Sequence, residues 1–106
     1  MDVETSSRLG RIREIVSKYV YPVEVRLFGS RATGSAEPDS DFDLLVVVPD
    51  GPSRDELLTQ SSRCRRELAR HGIDADVLIR TESTVDDFRD KPGSVIRSAL
   101  IEGVEI

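Results

Sequence analysis

A chain of 106 residues with 38% hydrophobic and 33% charged content makes one small domain with a thin core, spanning 1–106. Its formal net charge of −5 argues against direct nucleic-acid binding, where neutralising phosphate supplies most of the affinity. The single cysteine, Cys64, excludes an internal disulfide and fits a reducing compartment. Met1-Asp2-Val3-Glu4 lacks the basic start and apolar run of a signal peptide, and no stretch nears the ~20 apolar residues of a membrane span. A cytoplasmic protein without membrane contact is expected.

In chain order, Leu9, Ile12, Val16 and Tyr19 recur at helical spacing, so residues 5–20 form a helix with Thr5, Ser6 or Ser7 as its cap. Tyr21-Pro22 ends it, because a residue before proline is pushed out of the helical region. Val23, Val25 and Leu27 alternate with Glu24 and Arg26, the pattern of a half-buried strand. Residues 29–40 are rich in Gly, Pro, Ser, Thr and Asp and read as a loop with one helical turn after Ser30. Residues 42–48 are a nearly continuous apolar, largely β-branched run, which predicts a central strand covered on both faces. Ser53-Arg54-Asp55-Glu56 is a capping box that opens a long helix with an inner stripe of Leu57, Ser61, Cys64 and Leu68. His71-Gly72 ends that helix. Ile73–Ile79 alternates as a third strand, Thr84 caps a short helix through Phe88, and Ser94 starts a last helix that stops near Gly103. The fold class is α/β, with a small mixed sheet of about three strands and helices packed on it. The short link between strands one and two allows an antiparallel pair, whereas the long helix between strands two and three implies a right-handed parallel crossover.

That topology brings the chemistry-bearing residues to one end of the sheet. Gly29-Ser30 sits at the end of strand one. Ten residues later, Asp41 and Asp43 open strand two, one residue apart and so on one face. Asp74 and Asp76 share a face at the start of strand three. Paired carboxylates suit a divalent cation, and a small turn with free N–H groups suits a phosphate, which points to metal-assisted chemistry on a nucleotide. A P-loop is excluded, since Ser35 follows Gly34 where a lysine is needed. An EF-hand is excluded too, because Leu44 stands at the required glycine. No Cys/His cluster for zinc exists. His71 is read as a helix-end charge on the dipole, and Cys64 as core. Arg63, Arg65, Arg66 and Arg70 give the second long helix a basic side, a solvated face or a partner-docking one.

The motif Gly29-Ser30-Arg31-Ala32-Thr33-Gly34, followed by Ser40-Asp41-Phe42-Asp43-Leu44, resembles the DNA polymerase β-like nucleotidyltransferases. It is closest to the minimal nucleotidyltransferases with Gly-Ser-x10-Asp-x-Asp. The ending Ala99-Leu100-Ile101-Glu102-Gly103-Val104 is also similar, so the resemblance covers essentially the whole chain. It implies a nucleotidyltransferase-like domain that uses ATP and two Mg²⁺ ions. Asp41, Asp43 and a third Asp would bind metal and act in catalysis, and Gly29, Ser30 and Arg31 would bind nucleotide. The third carboxylate is Asp76, which precedes the apolar run Val77-Leu78-Ile79, with Asp74 as the alternative; Arg31 is either a phosphate contact or a solvated loop residue. Minimal members are typically antitoxins paired with a helical HEPN ribonuclease toxin, and they transfer AMP to a tyrosine of that toxin. The resemblance therefore implies protein adenylylation and a HEPN-type partner. The alternatives are a small-molecule transferase whose acceptor domain comes from a partner, and an antitoxin that acts by binding alone.

Overall fold

The first helix, α1, spans Val3–Tyr19 in the computed structural model, which describes residues 1–106. It begins earlier than the Thr5–Ser7 caps predict. Asp2 is the cap, and its carboxylate accepts from the Thr5 N–H at 2.7 Å. Thr5 is unavailable as a cap because it is drawn into the interior, where its hydroxyl accepts from the Arg31 guanidinium at 3.2 Å. A contact across 26 positions decides this start, and helix periodicity carries no trace of it.

Strand β1, Glu24–Phe28, buries Val25 and Leu27 and leaves Val23 exposed outside the strand. The helical turn expected after Ser30 is α2, Ser30–Thr33. Strand β2, Phe42–Val48, is buried along almost its whole length, as its apolar run requires. Helix α3, Arg54–Arg70, starts on Ser53, whose hydroxyl accepts from the Glu56 N–H at 3.2 Å. Strand β3 is Ala75–Thr81, two residues later at both ends than the alternation suggests. Thr81 then caps helix α4, Glu82–Phe88, in place of Thr84, and its hydroxyl accepts from the Thr84 N–H at 3.3 Å. Chain direction turns from strand to helix at one residue, so no loop separates the two patterns. Helix α5, Val95–Glu102, is capped by Ser94 as expected.

The sheet has four strands rather than about three, in the order β3-β2-β1-β4. The added strand β4, Val104–Glu105, pairs antiparallel with Arg26 and Leu27. Two residues are too few to show an alternating pattern. They become a strand by docking, with the Ile106 N–H on the Val25 carbonyl at 2.9 Å and Arg13 on the Ile106 carbonyl at 2.7 Å. β1 pairs antiparallel with β2, and β2 parallel with β3, as the link lengths predict.

Strand β2 separates two cores. Leu44 and Val46 face α1 and α3 and meet Ile12, Val16, Cys64 and Leu68. Leu45 and Val47 face the other way, against Val85, Ile96 and Ala99 of α4 and α5. Period-two alternation places the Asp41 and Asp43 side chains on the α4/α5 face, at the end of the strand where the apolar cover stops.

Cys64 is fully buried, and burial pushes its thiol up to about 11. A thiol in that range is not a thiolate at neutral pH, so it fills core and does no nucleophilic work. Ellman's reagent is expected to leave the native protein unlabelled and to react with one thiol per chain in denaturant. Stoichiometric labelling of the folded protein within minutes would contradict this.

Candidate active site

Strand register builds the site. Phe28 of β1 is opposite Asp43 of β2, and Asp43 is opposite Asp76 of β3. Gly29 therefore lies next to Asp43 on one side, and Asp76 flanks it on the other. Adjacent strands lie ~4.8 Å apart, so Asp43 and Asp76 are neighbours on one face, with Asp41 two residues away on that same face. Asp74 precedes β3, where its backbone carbonyl accepts from the Phe42 N–H at 2.8 Å. Its place next to the cluster is held by main chain, and Asp76 is the carboxylate in register.

Electrostatics mark Asp43 as the centre. Burial first, then Asp76 and then Asp41, push its carboxyl above the usual carboxylate range. Asp43 is half-buried, whereas Asp41, Asp74 and Asp76 are exposed. Three carboxylates held close by backbone register repel one another. As the side chains lie, no three acidic, His or Cys groups are drawn together tightly enough to hold a metal ion. The donor chemistry still fits a hard divalent cation, because all three groups are carboxylates and the central one is strained by its neighbours' charge.

Gly29 is needed for two reasons. Its backbone, at φ 71° and ψ −157°, lies in a region only glycine occupies without strain. A Cβ there would also overlap the Asp43 carboxylate. The absence of a side chain brings main chain and carboxylate together. Ser30 follows directly as the first residue of α2 and is half-buried.

Arg31 is not displayed to a phosphate. Its side chain is 4% exposed, and its donors are spent on its own chain. Nε and Nη2 donate to the Ser40 carbonyl at 3.1 and 2.9 Å, Nη2 also reaches the Pro38 carbonyl at 3.3 Å, and Nη1 donates to the Thr5 hydroxyl. The guanidinium lies 4.5 Å from the Phe42 ring centroid, with Glu4 at 3.8 Å. Neither sequence reading, phosphate contact or solvated residue, describes this geometry. Arg31 ties the loop before Asp41 to α1. Arg31→Ala would strand the Ser40 and Pro38 carbonyls and is expected to cost about 3 kcal/mol of stability. Urea denaturation measures this, and a loss below ~1 kcal/mol would contradict the clamp.

Sequence reasoning left Arg65 and Arg66 on a basic helix side, either solvated or partner-docking. They line a polar cleft of about 530 Å³ together with Asp41, Asp74, Asp76 and Ser62. Neither guanidinium makes an ion pair or a hydrogen bond within the chain. The available signal was their spacing from Leu68 on α3, which places them one turn from the helix end that feeds β3.

A glycine-serine turn at the end of β1, a carboxylate pair at the start of the next strand and a parallel neighbour supplying another carboxylate define an α/β domain with an acidic cluster at one end of its sheet. The sequence matches the family described as nucleotidyltransferase domain over residues 9–64, just over half of the chain, and the protein belongs to that family. That match contains Gly29, Ser30, Asp41 and Asp43 and stops before Asp76. Among solved structures, one described as a minimal nucleotidyltransferase is similar at 27% identity and a TM-score of 0.66. The match covers 100% of this chain and 97% of that one. A chain of a toxin–antitoxin crystal structure with AMP-PNP is similar at 15% identity and a TM-score of 0.61, covering 91% and 69%. A chain from the complex of a tri-AMPylated Shewanella oneidensis HEPN toxin with an MNT antitoxin gives 12%, 0.56, 95% and 70%. At those lower identities the likeness is one of fold. No curated protein matches the sequence. No helix is long and apolar enough to cross a membrane.

Proposed function

We propose that this nucleotidyltransferase moves the AMP of ATP onto a hydroxyl of a partner protein, a tyrosine of a helical HEPN-type toxin, and so acts as its antitoxin. The observation that carries the chemistry is the register of Asp43 between Gly29 and Asp76, with Asp41 on the same face. Family membership supports the nucleotidyl transfer. The choice of partner is supported by the likeness of fold to chains of toxin–antitoxin complexes, in one of which the toxin is AMPylated.

Asp41, Asp43 and Asp76 are the residues that would hold Mg²⁺. Two such ions, when bound, offset the charge that builds on the attacking and leaving oxygens. Gly29 lets main chain approach the triphosphate. The Ser30 hydroxyl and N–H bind its outer phosphates. Asp76, the exposed carboxylate on the side away from Gly29, accepts the proton of the acceptor hydroxyl. That oxygen forms a bond to the α-phosphorus, the bond from the α-phosphorus to its bridging oxygen breaks, and pyrophosphate leaves with the electron pair.

Co-expression with a helical HEPN-type protein as candidate partner, followed by intact-mass spectrometry of both, tests the proposal. The partner is expected to gain one or more AMP masses, mapped to tyrosine, and to gain none with Asp41→Asn. A silenced but unmodified partner would replace enzymatic action with neutralisation by binding. Adenylylation of a small hydroxylated compound and of no protein would replace the partner with a small-molecule acceptor.

A further inference from the structure

We infer that the free edge of β3 is a docking site for an extended segment of another protein, which adds to the sheet as a further strand and carries acidic side chains on the side that meets α3. The inference goes beyond the transferase reading and does not depend on it. Strand β3 ends the sheet and pairs only with β2. The Phe42 N–H reaches the Asp74 carbonyl at 2.8 Å, while Phe42 itself stands opposite Ala75. In a parallel ladder this sets the parity. The even-numbered residues of β3 bond to β2, and Val77, Ile79 and Thr81 turn their main-chain groups to the open edge. There the Val77 carbonyl accepts from the Ser61 hydroxyl, and the Ile79 carbonyl accepts from Arg80 Nη1 at 3.0 Å. The N–H groups of Val77, Ile79 and Thr81 have no acceptor within the chain. Val77 and Ile79 are buried, where an unpaired N–H is costly. The carbonyls of an added strand recur at the spacing of these donors and would pair them. Arg80, which straps Ile79, is the side chain that must swing aside to admit it.

Charge decides the occupant. A groove of about 580 Å³ runs along this edge, with Arg54, Leu58 and Arg65 of α3 on one side and Phe88 of α4 on the other. Leu58 and Phe88 are exposed. Arg54, Arg65 and Arg80 line the groove without an ion pair, and Asp76 is the one acidic residue in its lining. The groove is therefore basic on a chain whose net charge is −5. Arg54 and Arg65 stand ~16 Å apart along α3, with Leu58 between them. Side chains on one face of a strand recur every ~6.8 Å. A segment of the form acid–x–apolar–x–acid thus brings its acids within reach of both guanidiniums and sets its apolar residue on Leu58. The intervening side chains face Phe88, and the exposed Glu82, Asp86 and Asp87 of α4 disfavour acids on that side. A second copy of the chain is a poorer occupant. Two β3 strands paired antiparallel about a two-fold axis would set the basic side of α3 against itself and acidic α4 against itself, which like charge opposes.

The probe is the end-blocked peptide Gly-Thr-Glu-Val-Leu-Val-Glu-Thr-Gly, and the control replaces both glutamates by lysine. In the ¹⁵N-labelled full chain, the glutamate peptide is expected to move the amide signals of Val77, Ile79 and Thr81 downfield and to slow their exchange with solvent. The amides of Asp76, Leu78 and Arg80, already bonded to β2, should change less. The lysine peptide is expected to bind at least about tenfold more weakly, and Arg54→Glu/Arg65→Glu to reverse that order. Binding that leaves the three edge amides unmoved would overturn strand addition. Equal affinity for the two peptides would overturn the acidic assignment. No shift at millimolar glutamate peptide would overturn the docking site. Edge-amide shifts that grow with protein concentration without peptide, together with a dimer in sedimentation, would give the edge to a second copy and overturn the inference.

Discussion

Asp43→Asn is expected to abolish nucleotidyl transfer and, in the absence of divalent cation, to leave the protein more stable than wild type near neutral pH. The loss of activity follows from removing the central negative group of a site that must stabilise a transition state over several phosphate oxygens, a change of about a thousandfold or more. The gain in stability follows from the position of the side chain. Asp43 is half-buried, and its carboxyl is raised by burial and by Asp76 and Asp41. The folded chain thus holds this proton more tightly than the unfolded chain does. Its contribution to stability falls as pH rises from the ordinary carboxylate range through the raised value, and at neutral pH the full cost of ionising it is present. Asparagine keeps the shape and removes that cost. Thermal melts in EDTA should give a higher Tm for the variant at pH 7, with the gap closing toward pH 4. Added Mg²⁺ should raise the Tm of wild type and not that of the variant. A variant melting below wild type in EDTA would mean that Asp43 is held by favourable contacts, contrary to its electrostatics.

Asp76→Asn is expected to cost roughly a thousandfold in kcat/KM, and Asp74→Asn less than about threefold. Their positions in the chain differ by one residue of separation, but their positions in the sheet differ in kind. Asp76 is in register with Asp43 and is one of the charges that raises its carboxyl. Asp74 lies before the strand and contributes its main-chain carbonyl to the Phe42 N–H. Radiolabelled AMP transfer by the two purified variants, with matched circular dichroism, measures the difference. Equal losses would mean that the third carboxylate is shared, and the reverse order would move it to Asp74.

Most of the site could be read from the chain because its determinants are local. Asp41 and Asp43 share a face by strand periodicity alone. A glycine-serine pair between an alternating segment and a loop announces a turn, and the lengths of the two links fix which strands run parallel. Arg31 could not be read the same way. Its neighbours in sequence describe a loop, whereas its guanidinium joins that loop, at Ser40 and Pro38, to Thr5 and Glu4 on a helix that precedes it by a strand. The start of α1 was misplaced for the same reason, since burial of Thr5 by that arginine passes the cap to Asp2.

By itself the sequence determined the helices, the three main strands and their directions, and the convergence of Gly29, Ser30, Asp41, Asp43 and an aspartate of the third strand. Each of these depends on spacing within one element or on the length of one link. Tertiary structure decided what depends on packing between distant elements. It paired Asp43 with Asp76 rather than Asp74 by strand register, turned the last residues into β4 by docking them on β1, and buried Arg31 as a clamp. It also placed Arg65 and Arg66 of α3 along one cleft with Asp41, Asp74 and Asp76. A guanidinium on an amphipathic helix faces solvent by its periodicity alone, and only the crossover that lays α3 beside β3 determines what else borders that solvent.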